Sequence, residues 1–186
     1  MDGAFLLRDT QEKTLEVRAQ DIRFFLDACT YDYTAIRLDH CVYRTPQQVL
    51  IDRACVCLDG ALFAAEFMIP EHHYTPKKHG LLFFNYTLDS GDSRSHVVYV
   101  FRDSSGNFGA IGKSRHSLLT HRNVKYCSID NLTQSYIDVF EGEFHRHSIA
   151  TAYVDLLDVG LCRKKQWEWR QRLQEFLMEI TYTPRY

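Results

Sequence analysis

The order of patterned segments along the chain predicts an α+β domain: helices first, a run of antiparallel strands next, helices again at the end. Three observations carry that prediction. Apolar residues recur at three- and four-residue spacing before residue 69 and again after residue 128, the period of a helix with one buried face. Between them, residues 81–112 are rich in Leu, Val, Phe and Tyr and are broken by the turn composition Ser104-Ser105-Gly106-Asn107, the pattern of a hairpin. The chain has 186 residues, 45% of them hydrophobic, including twelve Phe and eleven Tyr, enough to fill the core of one domain spanning 1–186.

Each element has its own reason. A helix is expected over about 10–28, where Leu15, Ile22, Phe25, Leu26 and Cys29 share a face, followed by a loop from Thr30 to Thr34. Thr45-Pro46 starts a second helix, with threonine as N-cap and proline in the first turn, where its missing N–H costs nothing. From Cys57 to Met68 the sequence is apolar nearly all round, the mark of a buried helix, and Pro70 stops it. Residues 72–80 read as a polar loop. Strands are expected at 81–87, 96–102 and 108–112. A helix over 128–140 turns Leu132, Tyr136, Val139 and Phe140 inward; 141–160 has no single period. The last helix, about 163–180, places Trp167, Leu173, Phe176, Leu177 and Ile180 on one face.

Composition excludes several classes. The net charge is -2, so no basic surface points to nucleic acid. No apolar run reaches the roughly 20 residues that span a bilayer. The start, Met1 to Asp9, lacks the basic and apolar regions of a signal peptide. The six cysteines (29, 41, 55, 57, 127 and 162) then read as reduced thiols of a cytoplasmic protein, and the two sequons at Asn85 and Asn131 as chance matches. No cofactor is expected.

Chemistry concentrates at Cys57, His96 and Ser114. A thiol at the start of a buried helix feels unpaired N–H groups and the positive end of the helix dipole, which favour thiolate and lower its pKa. The same N–H groups can hold an oxyanion. His96 heads an apolar strand, where an imidazole is costly without polar partners. If 96–102 and 108–112 pair across the turn, Ser114 returns to the side of His96, and its hydroxyl fixes the imidazole tautomer. Together these residues predict a nucleophile, a base and an orienting group. Two other classes fit parts of the sequence. A metal protein would use His72-His73, His145-x-His147 or Cys55-x-Cys57, but none has the two-pair spacing of a structural zinc site. A catalytically inactive interaction module would leave Cys57 unreactive.

The segments Cys57-Leu58-Asp59-Gly60-Ala61, Ser95-His96-Val97-Val98 and Gly109-Ala110-Ile111-Gly112-Lys113-Ser114-Arg115 resemble the transglutaminase-like cysteine hydrolases, over about residues 30–140. Serine at the third position is similar to vasohibin-like proteins, tubulin carboxy-terminal tyrosine peptidases, and to bacterial transglutaminase-like proteins. The resemblance implies a papain-like fold with the nucleophile helix packed on a small antiparallel sheet, and a peptidase that takes a peptide or protein substrate. It implies Cys57 as nucleophile, His96 as base, Ser114 as orienter and Tyr31 as an oxyanion ligand. It also implies Arg115, and Lys113 beside it, as ligands of a substrate carboxylate, although Val56 stands where vasohibins carry a basic residue. A small activating protein partner is a further implication. An amine in place of water as acceptor makes the same site a transglutaminase or amidase.

Overall fold

The computed structural model describes residues 13–33, 43–69, 78–156 and 183–184. Helix α1 (Leu15–Ala28) begins at Thr14, whose hydroxyl accepts the Val17 N–H at 3.4 Å, and it buries Ala19, Ile22, Phe25 and Leu26. The first strand, β1 (Thr30–Tyr31), falls where a loop is expected; it pairs in parallel with β2 (Ala54–Cys55) in the register Thr30↔Ala54, Tyr31↔Cys55. Two residues are too few to show a period, so this pair is set by contact with the rest of the fold. Helix α2 (Pro46–Asp52) opens with the expected Thr45 cap as a full capping box with Gln48, and ends on Arg53 at φ 52. Helix α3 (Cys57–Met68) has the predicted bounds and buries ten of its twelve residues.

The main sheet is antiparallel between all neighbours, in the order β6-β5-β4-β3-β7-β8. Its strands are β3 (His79–Thr87), β4 (Ser93–Arg102), β5 (Phe108–Ile111), β6 (Arg122–Tyr126), β7 (His147–Asp155) and β8 (Thr183–Pro184). The hairpin β4–β5 turns at Gly106, which holds φ 90. Three strands of this sheet, the two-residue β8 among them, are not legible in the sequence. β6 is a polar edge strand of alternately half-buried and exposed residues, and β7 occupies the stretch without a period. Helix α4 (Ile129–Gly142) is capped by Ser128, which accepts the Asn131 N–H at 3.1 Å. The expected helix at 163–180, and His72 and His73, lie outside the described residues.

The sheet separates two cores. On one face Leu81, Phe83, Val97, Tyr99, Phe101 and Ile111 pack against α1 and α3. On the other, Leu82, Phe84, Val98, Val100, Phe108 and Ala110 pack against α4 through Leu132, Tyr136, Ile137 and Phe140. Both follow from strand alternation, which sends successive side chains to opposite faces. β4 pairs β5 only from Tyr99 to Arg102, so from Ser93 to Val98 its strand partner among the described residues is β3. Among the described residues no helix is long and apolar enough to cross a membrane. Cys29, Cys55, Cys57 and Cys127 are free thiols, while Cys41 and Cys162 lie outside the described residues.

Candidate active site

Cys57 is the first residue of α3, preceded by Val56 in extended conformation. The helix start is held by Asp59, fully buried, whose carboxylate accepts the N–H of Val56 at 3.1 Å and of Arg44 at 2.9 Å. Arg44 then pairs with Asp32 at 2.7 Å and Asp52 at 2.9 Å, tying β1 and α2 to the same point. The β1–β2 register sets Tyr31 beside Cys55, two residues from Cys57, and the Tyr31 hydroxyl donates to the Cys57 sulfur. The N–H groups of Leu58 and Val97 also donate to it. Val97 belongs to the stretch of β4 that β5 does not pair, and the sulfur meets the strand there.

Helix position alone predicts a lowered thiol pKa; the structure reverses that expectation. Burial pushes the Cys57 thiol up to about 11, further raised by the nearby Asp59 carboxylate, and the three donors only partly offset it. The resting sulfur is therefore a neutral thiol at neutral pH. A thiol in this state can act as a nucleophile only with a base to take its proton, not as a preformed ion pair. Burial likewise raises the Tyr31 hydroxyl, which stays protonated and able to donate.

His96 lies on β4, one residue before Val97, and its ring faces the α4 side. It packs among Phe84 (centroids 6.3 Å), Tyr136 (6.4 Å) and Phe140 (6.3 Å). Its Nε2 is 2.8 Å from the carbonyl oxygen of Leu119. A carbonyl can only accept, so Nε2 carries the proton and Nδ1 keeps its lone pair. Burial, with the charges of Arg122 and His116, pushes the imidazole down to about 4, so it is neutral, with its lone pair at Nδ1. Among the described residues no hydrogen bond joins Cys57 to His96; the structure brings the sulfur to the backbone next to His96 rather than onto its ring.

The orienting group differs from the expected one. Extending the β4–β5 register beyond Tyr99↔Ile111 would set Ser114 opposite His96, but the pairing stops at Ile111. The Ser114 hydroxyl instead accepts the His116 N–H at 3.1 Å, shaping its own turn. Leu119 orients His96 through a backbone carbonyl, a role no side chain announces, so nothing in the sequence marks it.

Lys113 is also placed differently from expectation. It is buried, and its ammonium donates to the carbonyls of Leu26 at 2.6 Å and Cys29 at 2.5 Å, the C-terminal end of α1. That use places the cation at the end of α1 that the helix dipole favours, and it turns the side chain into the protein interior. The same residue presses on α3: a Cβ at Gly60 would stand 2.7 Å from Lys113 Cβ, so only glycine fits there.

Arg115 is exposed. Its Nε donates to His116 at 2.8 Å and its guanidinium lies 5.9 Å from the Tyr33 ring centre. Tyr33 meets Tyr31 edge-on at 5.4 Å, so Arg115 belongs to the rim of the same site. Tyr86, which the sequence did not single out, interacts electrostatically with Cys57 and with Arg94, Arg115 and Arg146. These three arginines come from β4, the β5–β6 connection and the turn before β7. Arg94 lies 4.0 Å from Asp92 and Arg146 3.8 Å from Asp89, so the rim carries charges of both signs around Arg115.

No protein-family model and no curated protein sequence matches the chain. Among solved structures it is similar to Legionella pneumophila LapG, at 15% identity and a TM-score of 0.42, with 64% of each chain covered. The calcium-bound form of that protein aligns at 11% identity and a TM-score of 0.41, covering 74% of this chain and 87% of that one. The chain thus spans about 64% of the length of the first of these structures. Likeness of this degree leaves the chemistry to rest on the residues themselves.

Proposed function

We propose that this protein is a thiol hydrolase, a cysteine peptidase of the transglutaminase-like type, with Cys57 as nucleophile and His96 as base. The observation that supports it most is the convergence of three donors, the N–H groups of Leu58 and Val97 and the Tyr31 hydroxyl, on a thiol at a buried helix start. The strand that supplies Val97 also supplies a histidine with a fixed tautomer.

The cycle follows from these groups. His96 Nδ1 takes the thiol proton as sulfur attacks the amide carbonyl, and the oxyanion that forms is stabilised by Tyr31 and helix N–H groups. Collapse breaks the C–N bond, and the imidazolium gives its proton to the departing amine. Water, deprotonated by the same nitrogen, then attacks the thioester and releases the acid with free Cys57. The neutral resting pair fits this order, since thiol and imidazole each hold the form the first step uses. Arg115, with Arg94 and Arg146 on the rim, suits a substrate whose carboxylate lies near the scissile bond, as in a carboxypeptidase. The free thiols suit a reducing, cytoplasmic setting.

The test uses peptides with free or amidated C-termini, read by mass spectrometry. Loss of terminal residues from the free acids, absent in Cys57→Ala and sparing the amides, is the expected result. Equal cleavage of both sets would remove the carboxylate grip, and transfer to an added amine would make the protein an acyltransferase. No turnover of any peptide by the wild-type chain, with no covalent adduct at Cys57, would sink the hydrolase reading.

A further inference from the structure

The carbonyl that orients His96 belongs to a short segment, 118–122, in which every backbone carbonyl has a partner. Leu118 O and His121 O both accept from Arg122 Nη1 at 2.9 Å. Thr120 O accepts from the Tyr136 hydroxyl at 3.3 Å, and Arg122 O from Arg23 at 2.6 Å. Leu119 O is left for His96 at 2.8 Å. The other side of the Arg122 guanidinium is fixed to α4. Nε donates to the Ser135 hydroxyl and Nη2 to the Ser135 carbonyl, both at 3.1 Å, and the plane lies 3.8 Å from the Tyr136 ring centre.

We infer that Arg122 is a positioning residue for His96, acting through the Leu119 carbonyl, which rests on the reading of His96 as the base of Cys57. Nη1 of this one rigid group holds the Leu118 and His121 carbonyls on either side of the Leu119–Thr120 peptide unit, whose own N–H donates to Ser117 O at 3.3 Å, so the guanidinium braces the turn that aims Leu119 O. Its charge also bears on the ring it positions. A point charge on a flexible stem cannot reproduce this: lysine has no fork to hold Leu118 O and His121 O while keeping Ser135. Removing the fork leaves the Leu119–Thr120 peptide unit held by the Thr120 N–H to Ser117 O without its flanking brace, so Leu119 O can tilt away from His96. His96 then loses the acceptor at Nε2, and the proton distributes over both ring nitrogens.

Two readouts test this without a known substrate: nitrogen-15 NMR of the His96 imidazole, assigned by its loss in His96→Gln, and the rate at which iodoacetamide alkylates Cys57 near neutral pH. The wild-type ring is expected to be neutral with the proton on Nε2. In Arg122→Gln the two nitrogens are expected to move toward a common averaged shift, and alkylation to slow, by no more than the roughly 10²- to 10⁴-fold that a general base contributes. Arg122→Lys is expected to show the same change in part. A folded Arg122→Gln with an unchanged His96 tautomer overturns the proposal. If that variant does not fold, an unchanged tautomer in Arg122→Lys overturns it instead. If alkylation of the wild-type protein proves indifferent to His96→Ala, the reading of His96 as base fails, while the tautomer still decides whether Arg122 positions the ring.

Discussion

The two faces of the sheet treat their polar residues in opposite ways. On the α3 face Cys57 stands at a helix start among donors, from Leu58, Val97 and Tyr31, and burial drives its thiol up to about 11. On the α4 face His96 is enclosed by Phe84, Tyr136 and Phe140, keeps one acceptor, and is driven down to about 4. Desolvation acts on both and favours the uncharged form of each. A thiol on one face and an imidazole on the other can therefore both rest neutral, and what joins them is the backbone of β4, where the Val97 N–H next to His96 donates to the Cys57 sulfur.

The largest effect that would break this comparison is at the thiol itself. Cys57→Ala is expected to abolish peptide turnover with the melting temperature little changed; retained turnover would move the nucleophile elsewhere. Tyr31→Phe removes one donor from the sulfur while keeping the ring, and is expected to lower kcat by about 10²- to 10³-fold if the hydroxyl holds the oxyanion. An unchanged kcat would leave the oxyanion to the N–H groups alone.

Packing offers the next test. Phe63 on α3 and Phe84 on β3 are both fully buried, one in each core, and truncation of either to Ala is expected to cost about 3–5 kcal/mol in denaturant unfolding. Phe84→Ala should in addition broaden the His96 imidazole signals, because it takes away a ring packed on the histidine; Phe63→Ala should not.

Stability against pH separates the faces further. His96 and His79 have folded-state values near 4 against 6.5 for the free side chain, so the unfolded chain takes up protons first as pH falls from 6.5 to 4. Their stabilisation is complete above 6.5 and is lost across that window. Asp59, raised by its burial to about 6 from 3.8, works against them there, since the folded state binds its proton first. Cys57, at about 11 against 9.0, acts at the other end: stability falls as pH rises from 9 to 11. In urea titrations His96→Gln is expected to flatten the acid limb and Cys57→Ser the alkaline one. Exchanged effects would refute the assignment of these shifts. The smallest effect expected is from Ser114→Ala, which loses one hydrogen bond within a turn; a fall in kcat as large as that of His96→Ala would restore Ser114 as the orienter.

Much of this was legible in the sequence because it depends on local pattern. The Thr45-Pro46 cap, the bounds of the Cys57–Met68 helix, the turn at 104–107 and the inward face of 129–142 follow from periods and capping chemistry that a short window contains. The placement of a cysteine at a helix start and a histidine on the next central strand follows in the same way. The polar edge strand β6 and the irregular β7 are exceptions. Their residues are chosen by neighbours distant in sequence, so no window shows their period.

What the tertiary structure decided is the chemistry of the groups that local pattern had merely placed. Whether a thiol at a helix start is lowered or raised depends on how much water the surrounding fold removes, and here burial outweighs the helix end. Lys113 and Arg115 are two residues apart, yet one is consumed by the end of α1 and the other reaches the rim, because the chain leaving β5 turns between them. The group that fixes His96 is a main-chain carbonyl, common to all residues, and only the path of the chain makes Leu119 the one that meets it.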